Sequence, residues 1–414
     1  MPKRRVVITG LGAITPLGLS PDELWQGLIA GKSGAATITS FDTSTFDVHF
    51  AAEVKGFNPE NWIDPKEVKR LDRFAQMGIV AAVQAVKDAN LNFAQLNCER
   101  IGVIMGSGVG GFKEYQDQHS RLLEKGPSRV SPFFIPKLMM NSVTGHISIM
   151  YGLKGPNFTV ASACASANHA LGTALRIIQY DDADMVITGG CEAPITVMGL
   201  SGFAALKALS TRNDAPEKAS RPFEKNRDGF VIGEGGGALI FEELSHAQKR
   251  GAPIYAEVLG FGMNADAHHI TAPDPEGNGA ANCMRLALKE ANCSLDKVSY
   301  INAHGTSTQL NDATETKAIK KLFGDYAKKI PVSSTKSMIG HLLGAAGGVE
   351  LVATVLSVKN NMVHPTINYE TPDPECDLDY VPNKARAVEV NIAISNTFGF
   401  GGHNATIAIG KYRP

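Results

Sequence analysis

Short apolar stretches punctuate the chain at Val6–Thr9, Ile101–Met105, Phe158–Ser162, Met185–Gly189, Ala238–Glu242, Tyr300–Ala303, Ile330–Ser334, Asn391–Ser395 and Ala405–Ile409. Several are apolar along their whole length, as expected of strands covered on both faces. Other segments follow the helical period. Phe74–Ala89 is one, and Ala167–Ile178 is another, with Ala167, Ala170, Leu171, Ala174, Leu175 and Ile178 on one stripe. Strands alternating with helices predict an α/β fold. No low-complexity segment or long linker separates parts of the chain, so its domains pack intimately.

The pattern is weakly duplicated. In the first half, Ile101–Met105 runs into a glycine loop, and Phe158–Ser162 leads to a helix starting near Cys164. In the second half, Tyr300–Ala303 runs into His304-Gly305, and Ile330–Ser334 leads to a helix starting near His341. Each half closes with a glycine-rich turn and a strand, GEGGGALIFEE at 233–243 and GFGGHNATIAIG at 399–410. The boundary falls near Gly251-Ala252-Pro253, giving halves of 1–252 and 253–414.

Composition narrows the field. Over 414 residues the formal net charge is −1, which removes any global electrostatic case for nucleic acid binding. Glycine is abundant at 42 residues, which calls for many tight turns or close backbone approaches. The six cysteines are scattered without Cys-x-x-Cys spacing and form no disulfide framework. The basic, then apolar start resembles a signal peptide, but Gly10, Gly12 and Pro16 interrupt it, and a first strand is the better reading. No run approaches the ~18 apolar residues of a membrane span. These features place the protein in a reducing cytoplasm.

Five segments could carry chemistry. Gly106-Ser107-Gly108-Val109-Gly110-Gly111 fits G-x-G-x-x-G after a strand, the pattern of a nicotinamide dinucleotide-binding loop. The expected sequel, a helix and a strand bearing a ribose-binding acid, is missing, so a tight loop beside a cavity is the better reading. Cys164 lies where a strand turns through small residues into an amphipathic helix. There the helix dipole would favour thiolate, and the small neighbours leave room for substrate. His304 ends a strand in NAHGTST, and His341 stands before the small-residue stretch LLGAAGG. A histidine at a helix N-terminus is pushed toward neutrality and can donate one hydrogen bond to a developing oxyanion. With Cys164 they could form a cysteine nucleophile site or a zinc site. Zinc is the weaker choice, because no close ligand pair anchors it. In the loop NTFGFGGHN, backbone N–H groups could face an oxyanion while Phe400 excludes water.

Together, ASACASA around Cys164, NAHGTST around His304, KSMIGHLLGAAG around Lys336 and His341, and NTFGFGGHN resemble the β-ketoacyl-acyl-carrier-protein synthases of the thiolase superfamily, most closely the type II (elongating) enzymes. The resemblance covers nearly the whole chain. It implies a thiolase-like fold: two duplicated α/β halves in α-β-α-β-α layers, each with a mixed five-stranded sheet. It implies an acyltransferase that extends an acyl chain by two carbons through decarboxylative condensation with malonyl-carrier protein, in fatty acid biosynthesis or, alternatively, as a polyketide-type ketosynthase. No cofactor or metal is implied. The implied partners are acyl-carrier protein and a second copy of the chain, without nucleic acid or membrane insertion.

The resemblance also assigns residues. Cys164 is the nucleophile, and its N–H and that of Phe400 hold the oxyanion. His304 and His341 bind the malonyl thioester oxygen. Lys336, Glu350 and Asp312 order the histidines. Thr306 and Thr308 bond the phosphopantetheine arm, and Val109, Phe134 and Phe203 line the acyl pocket. Lys66, Lys69, Arg70, Arg129 and Lys207 dock the acidic carrier protein. His403 departs from the family's usual Thr beside the Phe400 loop.

Overall fold

The computed structural model describes residues 3–413. Ten strands form one continuous sheet. In chain order they are β1 (Val6–Ile14), β2 (Ile101–Gly106), β3 (Asn157–Val160), β4 (Met185–Glu192), β5 (Gly235–Glu243), β6 (Ala256–Ala265), β7 (Tyr300–Asn302), β8 (Val332–Ser333), β9 (Ile392–Gly399) and β10 (His403–Gly410). Across the sheet the order is β8-β7-β9-β10-β6-β1-β5-β4-β2-β3.

The duplication lies in this order. Reading outward from the centre, the first half runs β1-β5-β4-β2-β3 and the second β6-β10-β9-β7-β8. In the first half, β1/β5 and β5/β4 are antiparallel, while β4/β2 and β2/β3 are parallel. The second half repeats that pattern strand for strand. Antiparallel pairing of β1 with β6 joins the two expected five-stranded sheets into one.

Helices complete the layers. α1 (Arg73–Asp88) packs on β1, β5 and β4, and α3 (Asn278–Glu290) packs on β6, β10 and β9. Between the halves lie α2 (Ser166–Gln179) and α4 (Ala346–Asn360), each touching strands of both halves. Buried on nearly every face, α4 shows almost no polar stripe, and only its last turn reaches solvent.

The strand β6 was not expected from the sequence, because Gly260 and Gly262 break its apolar run. The structure supplies the reason. A Cβ on Gly262 would lie 2.0 Å from the Cys283 carbonyl of α3, and one on Gly12 of β1 would lie 1.8 Å from the Ala81 carbonyl of α1. Both outer helices therefore rest directly on backbone, at equivalent places in the two halves. β8 is shorter than Ile330–Ser334, and a short helix, Lys336–Ile339, separates it from His341. β3 ends at Val160 instead of Ser162, freeing the following residues to turn toward Cys164.

Candidate active site

After β3 the chain makes an elbow. Ala163 has φ of 49°, a left-handed conformation rarely adopted by a residue with a Cβ. Ser166 holds the turn: its hydroxyl donates to the Ala163 carbonyl at 2.6 Å and accepts the Ser162 N–H at 2.9 Å. The elbow presents Cys164, only 8% exposed, two residues before α2. The Cys164 Sγ lies 3.1 Å from His341 Nε2. The backbone N–H groups of Phe400 and Cys164 also face the sulfur.

The expected thiolate is not the resting form. Burial pushes the Cys164 thiol up to about 11; the Lys336 ammonium and the Phe400 N–H oppose this, and Glu192 reinforces it. Desolvation of the charged form outweighs the helix end. The histidines are neutral, as expected, but for a different reason. Burial holds His304 and His341 well below the usual range, with Lys336 adding to both.

His341 follows Gly340, whose φ is 70°, and its Nδ1 accepts the Leu343 N–H at 3.3 Å. In a neutral imidazole this leaves the proton on Nε2, facing the sulfur. The His304 ring packs edge-on against His341, 5.4 Å between centroids, and against Phe398 at 5.9 Å. The Glu315 carboxylate fixes the His304 backbone by accepting the N–H groups of His304 at 2.9 Å and Gly305 at 2.8 Å. Behind the histidines, Lys336 and Glu350 form an ion pair, each 1% exposed. Lys336 hydrogen-bonds neither imidazole and acts on both through its charge.

Gly399 brings the Phe400 loop onto the elbow, since a Cβ there would lie 3.1 Å from the Cys164 N atom. Gly401 and Gly402 carry φ of 85° and 71°, which shapes the turn between β9 and β10. Cys164, His304, His341 and Phe400 all border one cleft of about 500 Å³. Among the described residues no group of three or more His, Cys, Asp or Glu could hold a metal ion.

Comparison with known proteins follows this geometry. The family model described as "Beta-ketoacyl synthase, N-terminal domain" matches residues 3–247, and "Beta-ketoacyl synthase, C-terminal domain" matches 255–370. The chain belongs to the β-ketoacyl synthase family. It is 53% identical over 411 residues to a Synechocystis protein named 3-oxoacyl-[acyl-carrier-protein] synthase 2, with 99% of each chain covered. Proteins of the same name from Coxiella burnetii and Staphylococcus aureus are 51% and 52% identical, also over 99% of both chains. A solved β-ketoacyl synthase from Burkholderia phymatum superimposes with a TM-score of 0.92 at 35% identity, covering 99% of this chain and 100% of that one. A ketosynthase in a type II polyketide complex with its acyl-carrier protein gives 0.91 at 35%, with the same coverage. The synthase is an acyltransferase.

The remaining residues named from sequence divide in two. Thr306, Thr308, Phe203 and Lys207 border the cleft of the synthase, and the Thr306 and Thr308 hydroxyls are 2.9 Å apart. Val109 lies behind it, packed in the cluster that contains Cys164 and Leu343. Phe134 is not brought to the cleft; it packs near Tyr115, with ring centroids 6.4 Å apart. Asp312 does not reach the histidines. It accepts the Phe223 N–H at 2.8 Å and lies 3.5 Å from the Arg227 guanidinium. Glu315, three residues on, does the work expected of Asp312, and nothing in NDATETK sets one carboxylate apart from the other. Lys66, Lys69, Arg70 and Arg129 are exposed; Lys66 lies on the short helix Pro65–Val68 with Lys69 at its C-cap, and Arg70 sits over the Phe133 ring at 5.4 Å. His403 is exposed, and its ring meets His169 edge-on at 6.4 Å.

The G-x-G-x-x-G loop also finds its explanation. The amides of Gly108, Val109 and Gly110 and the Ser107 hydroxyl all donate to Glu192, at 2.6, 3.1, 3.2 and 2.9 Å. The loop is a tight turn behind the cleft, as preferred from sequence, and its donors close on the chain's own carboxylate. The sequence signal for Glu192 was a lone carboxylate closing an apolar strand, and it was missed.

Proposed function

We propose that the protein is a 3-oxoacyl-[acyl-carrier-protein] synthase that lengthens fatty acyl chains by decarboxylative Claisen condensation. The observation that carries this is the convergence of Cys164, His341 and His304 on one cleft, with His341 Nε2 3.1 Å from the sulfur. Cys164 attacks the acyl thioester of acyl-carrier protein; the carrier thiol leaves with a proton, and the acyl group stays on sulfur. The N–H groups of Cys164 and Phe400 stabilise the oxyanion, at about 3 kcal/mol per donor. His304 and His341 then donate Nε2–H to the malonyl thioester oxygen, so that loss of CO₂ leaves a stabilised enolate. The enolate carbon attacks the acyl-cysteine, the sulfur leaves and takes up a proton, and a 3-oxoacyl product two carbons longer departs. Neutral, buried imidazoles suit this role, because they donate without adding a second cation beside Lys336. No cofactor takes part.

Thr306 and Thr308, which border the cleft, bond the phosphopantetheine arm in this reading. Val109 and Phe203 serve the acyl pocket, and Lys66, Lys69, Arg70, Arg129 and Lys207 attract the acidic carrier. The chain pairs with a second copy through the open edge of β3, which among the described residues is bonded only to β2. Phe158 on that edge is exposed, as are the apolar Leu123, Ile135 and Ile149 nearby in sequence, a hazard unless covered. Phe134, beside Ile135, would then serve the pocket from the dimer face. A sedimentation mass twice that of the chain checks the pairing. Among the described residues no helix is long and apolar enough to cross a membrane, and six free cysteines suit a reducing cytoplasm.

A polyketide role is the second reading, favoured by the solved ketosynthase neighbours. The test is condensation of malonyl-carrier protein with a graded series of acyl-carrier proteins. A single two-carbon extension of saturated chains supports the fatty acid reading; retention through repeated unreduced extensions supports the other; no condensation defeats both.

A further inference from the structure

Glu192 ends β4 fully buried, and no Lys, Arg or His forms an ion pair with it among the described residues. Its charge is met by dipoles alone. One oxygen, Oε1, accepts the Ser107 hydroxyl and the amides of Val109 and Gly110. The other, Oε2, accepts the Gly108 N–H at 2.6 Å and, from the opposite half of the molecule, the Gly344 N–H at 3.1 Å. A buried carboxylate without a cation costs stability, and burial accordingly pushes its protonation upward.

The Gly344 contact leads to the reaction centre. Leu343, immediately before it, holds φ at 47°, a strained conformation for a residue with a branched side chain. In that conformation its N–H points back to His341 Nδ1. The next amide in the chain is the one Glu192 grips. The contact has no slack: a Cβ on Gly344 would lie 2.3 Å from the Gly108 N atom and 2.5 Å from Glu192 Oε2. A continuous path therefore runs from Glu192 through Gly344 and the strained Leu343 to His341 Nδ1, and through the ring from Nε2 to Cys164 Sγ.

We propose that Glu192 is a positioning residue that holds the Leu343–Gly344 turn in its strained form, so that the Leu343 N–H occupies His341 Nδ1 and commits the ring proton to Nε2. Nε2–H then faces the sulfur in the resting enzyme and the substrate oxygen after acylation. The same carboxylate anchors the Val109 loop, so the wall behind Cys164 and the orientation of His341 share one support. The catalytic consequence rests on the condensing function proposed above; the tautomer does not.

The test reads the tautomer directly. In enzyme labelled with ¹⁵N-histidine, with the His341 signals assigned by their loss in His341→Gln, wild type at neutral pH should show Nδ1 unprotonated and Nε2 protonated. Glu192→Gln turns an amide NH₂ toward backbone donors; it should give mixed tautomers and lower kcat for malonyl decarboxylation about tenfold or more, with KM unchanged. Ser107→Ala removes a loop contact but keeps the Gly344 link, so it should lower Tm and leave the tautomer as in wild type. A protonated Nδ1 in wild type overturns the proposal, as does a folded Glu192→Gln enzyme with the wild-type tautomer and half-reaction ratio. If Glu192→Gln does not fold, Gly344→Ala must shift the tautomer the same way, and an unshifted spectrum overturns the proposal. If the enzyme fails to condense but the spectra behave as stated, the functional reading falls and the positioning role stands.

Discussion

After β2 the chain wraps the amides of Gly108, Val109 and Gly110 round the Glu192 carboxylate; after β7, the equivalent strand of the second half, it turns the amides of His304 and Gly305 onto Glu315. Both loops thus close on a buried carboxylate. In the first half all the donors serve that internal anion, and the loop only backs the cleft. In the second half the backbone is satisfied in the same way, yet among the described residues the imidazole of His304 has no hydrogen-bond partner, and its Nδ1 is buried. The following strands repeat the contrast: β3 leads to Cys164, and β8 leads to Lys336 and His341. Duplication supplied two similar strand ends that carry different side chains. In the proposed mechanism the first half would hold the acyl group, and the second would generate and stabilise the carbanion.

The largest expected effect tests the first half's share. Cys164→Ala should lower condensation by more than about a thousandfold, and mass spectrometry should find no acyl adduct after incubation with acyl-carrier protein. Persisting adduct on another cysteine would break the division. His304→Ala tests the second half. Malonyl decarboxylation should fall roughly a hundredfold or more, while acylation of Cys164 falls by less than about tenfold. Equal losses in both half-reactions would merge the two roles.

Glu315 sharpens the comparison of the two carboxylates. Burial pushes it from 4.5 up to about 7, so its protonated form is favoured in the folded state. Its contribution to stability is fully present below about 4.5 and is lost as pH rises to about 7, by up to about 3 kcal/mol. The Glu315→Gln enzyme should lack that decline, and unfolding titrations of both proteins at pH 5 and pH 7.5 measure the difference.

Phe400 joins the halves, since it comes from the β9–β10 turn and its backbone N–H faces Cys164 of the first half. Phe400→Ala should raise malonyl decarboxylation without acyl donor, relative to condensation, by about tenfold, the scale of one well-placed contact. An unchanged ratio would make Phe400 a packing residue. The smallest effect is at the surface. Reversing Lys69 and Arg70 to Glu should raise KM for carrier-bound substrates several-fold and flatten its salt dependence, within the roughly 1 kcal/mol range of exposed charges. Unchanged kinetics would return these residues to solvent.

The positions of Cys164, His304, His341 and Phe400 are legible in the amino-acid pattern, because His304 and Phe400 follow strands, Cys164 follows one through a small-residue turn, and His341 precedes the small-residue stretch LLGAAGG, all local signals. The strand inventory is legible for the same reason, apart from β6, whose Gly260 and Gly262 are explained only by the helix lying on them. The protonation states are not legible. The small residues and helix start after Cys164 argue for thiolate, whereas burial of the sulfur pushes the thiol up to about 11. Nor could sequence choose Glu315 over Asp312, which stand on one helix and diverge only in what packs beside them: the His304 backbone for one, Arg227 and Phe223 for the other.

Composition and local pattern by themselves determined an α/β chain in two related halves, with a cysteine and two histidines in small-residue turns after strands or before helices. They did so because period, turn residues and helix starts are properties of neighbouring positions. Tertiary structure alone decided that β1 and β6 would join the halves, that Glu192 would fill the glycine loop, and that His341 would meet Cys164 across 177 positions of chain. Those outcomes depend on desolvation and on contacts between residues far apart in sequence, and no local pattern encodes either.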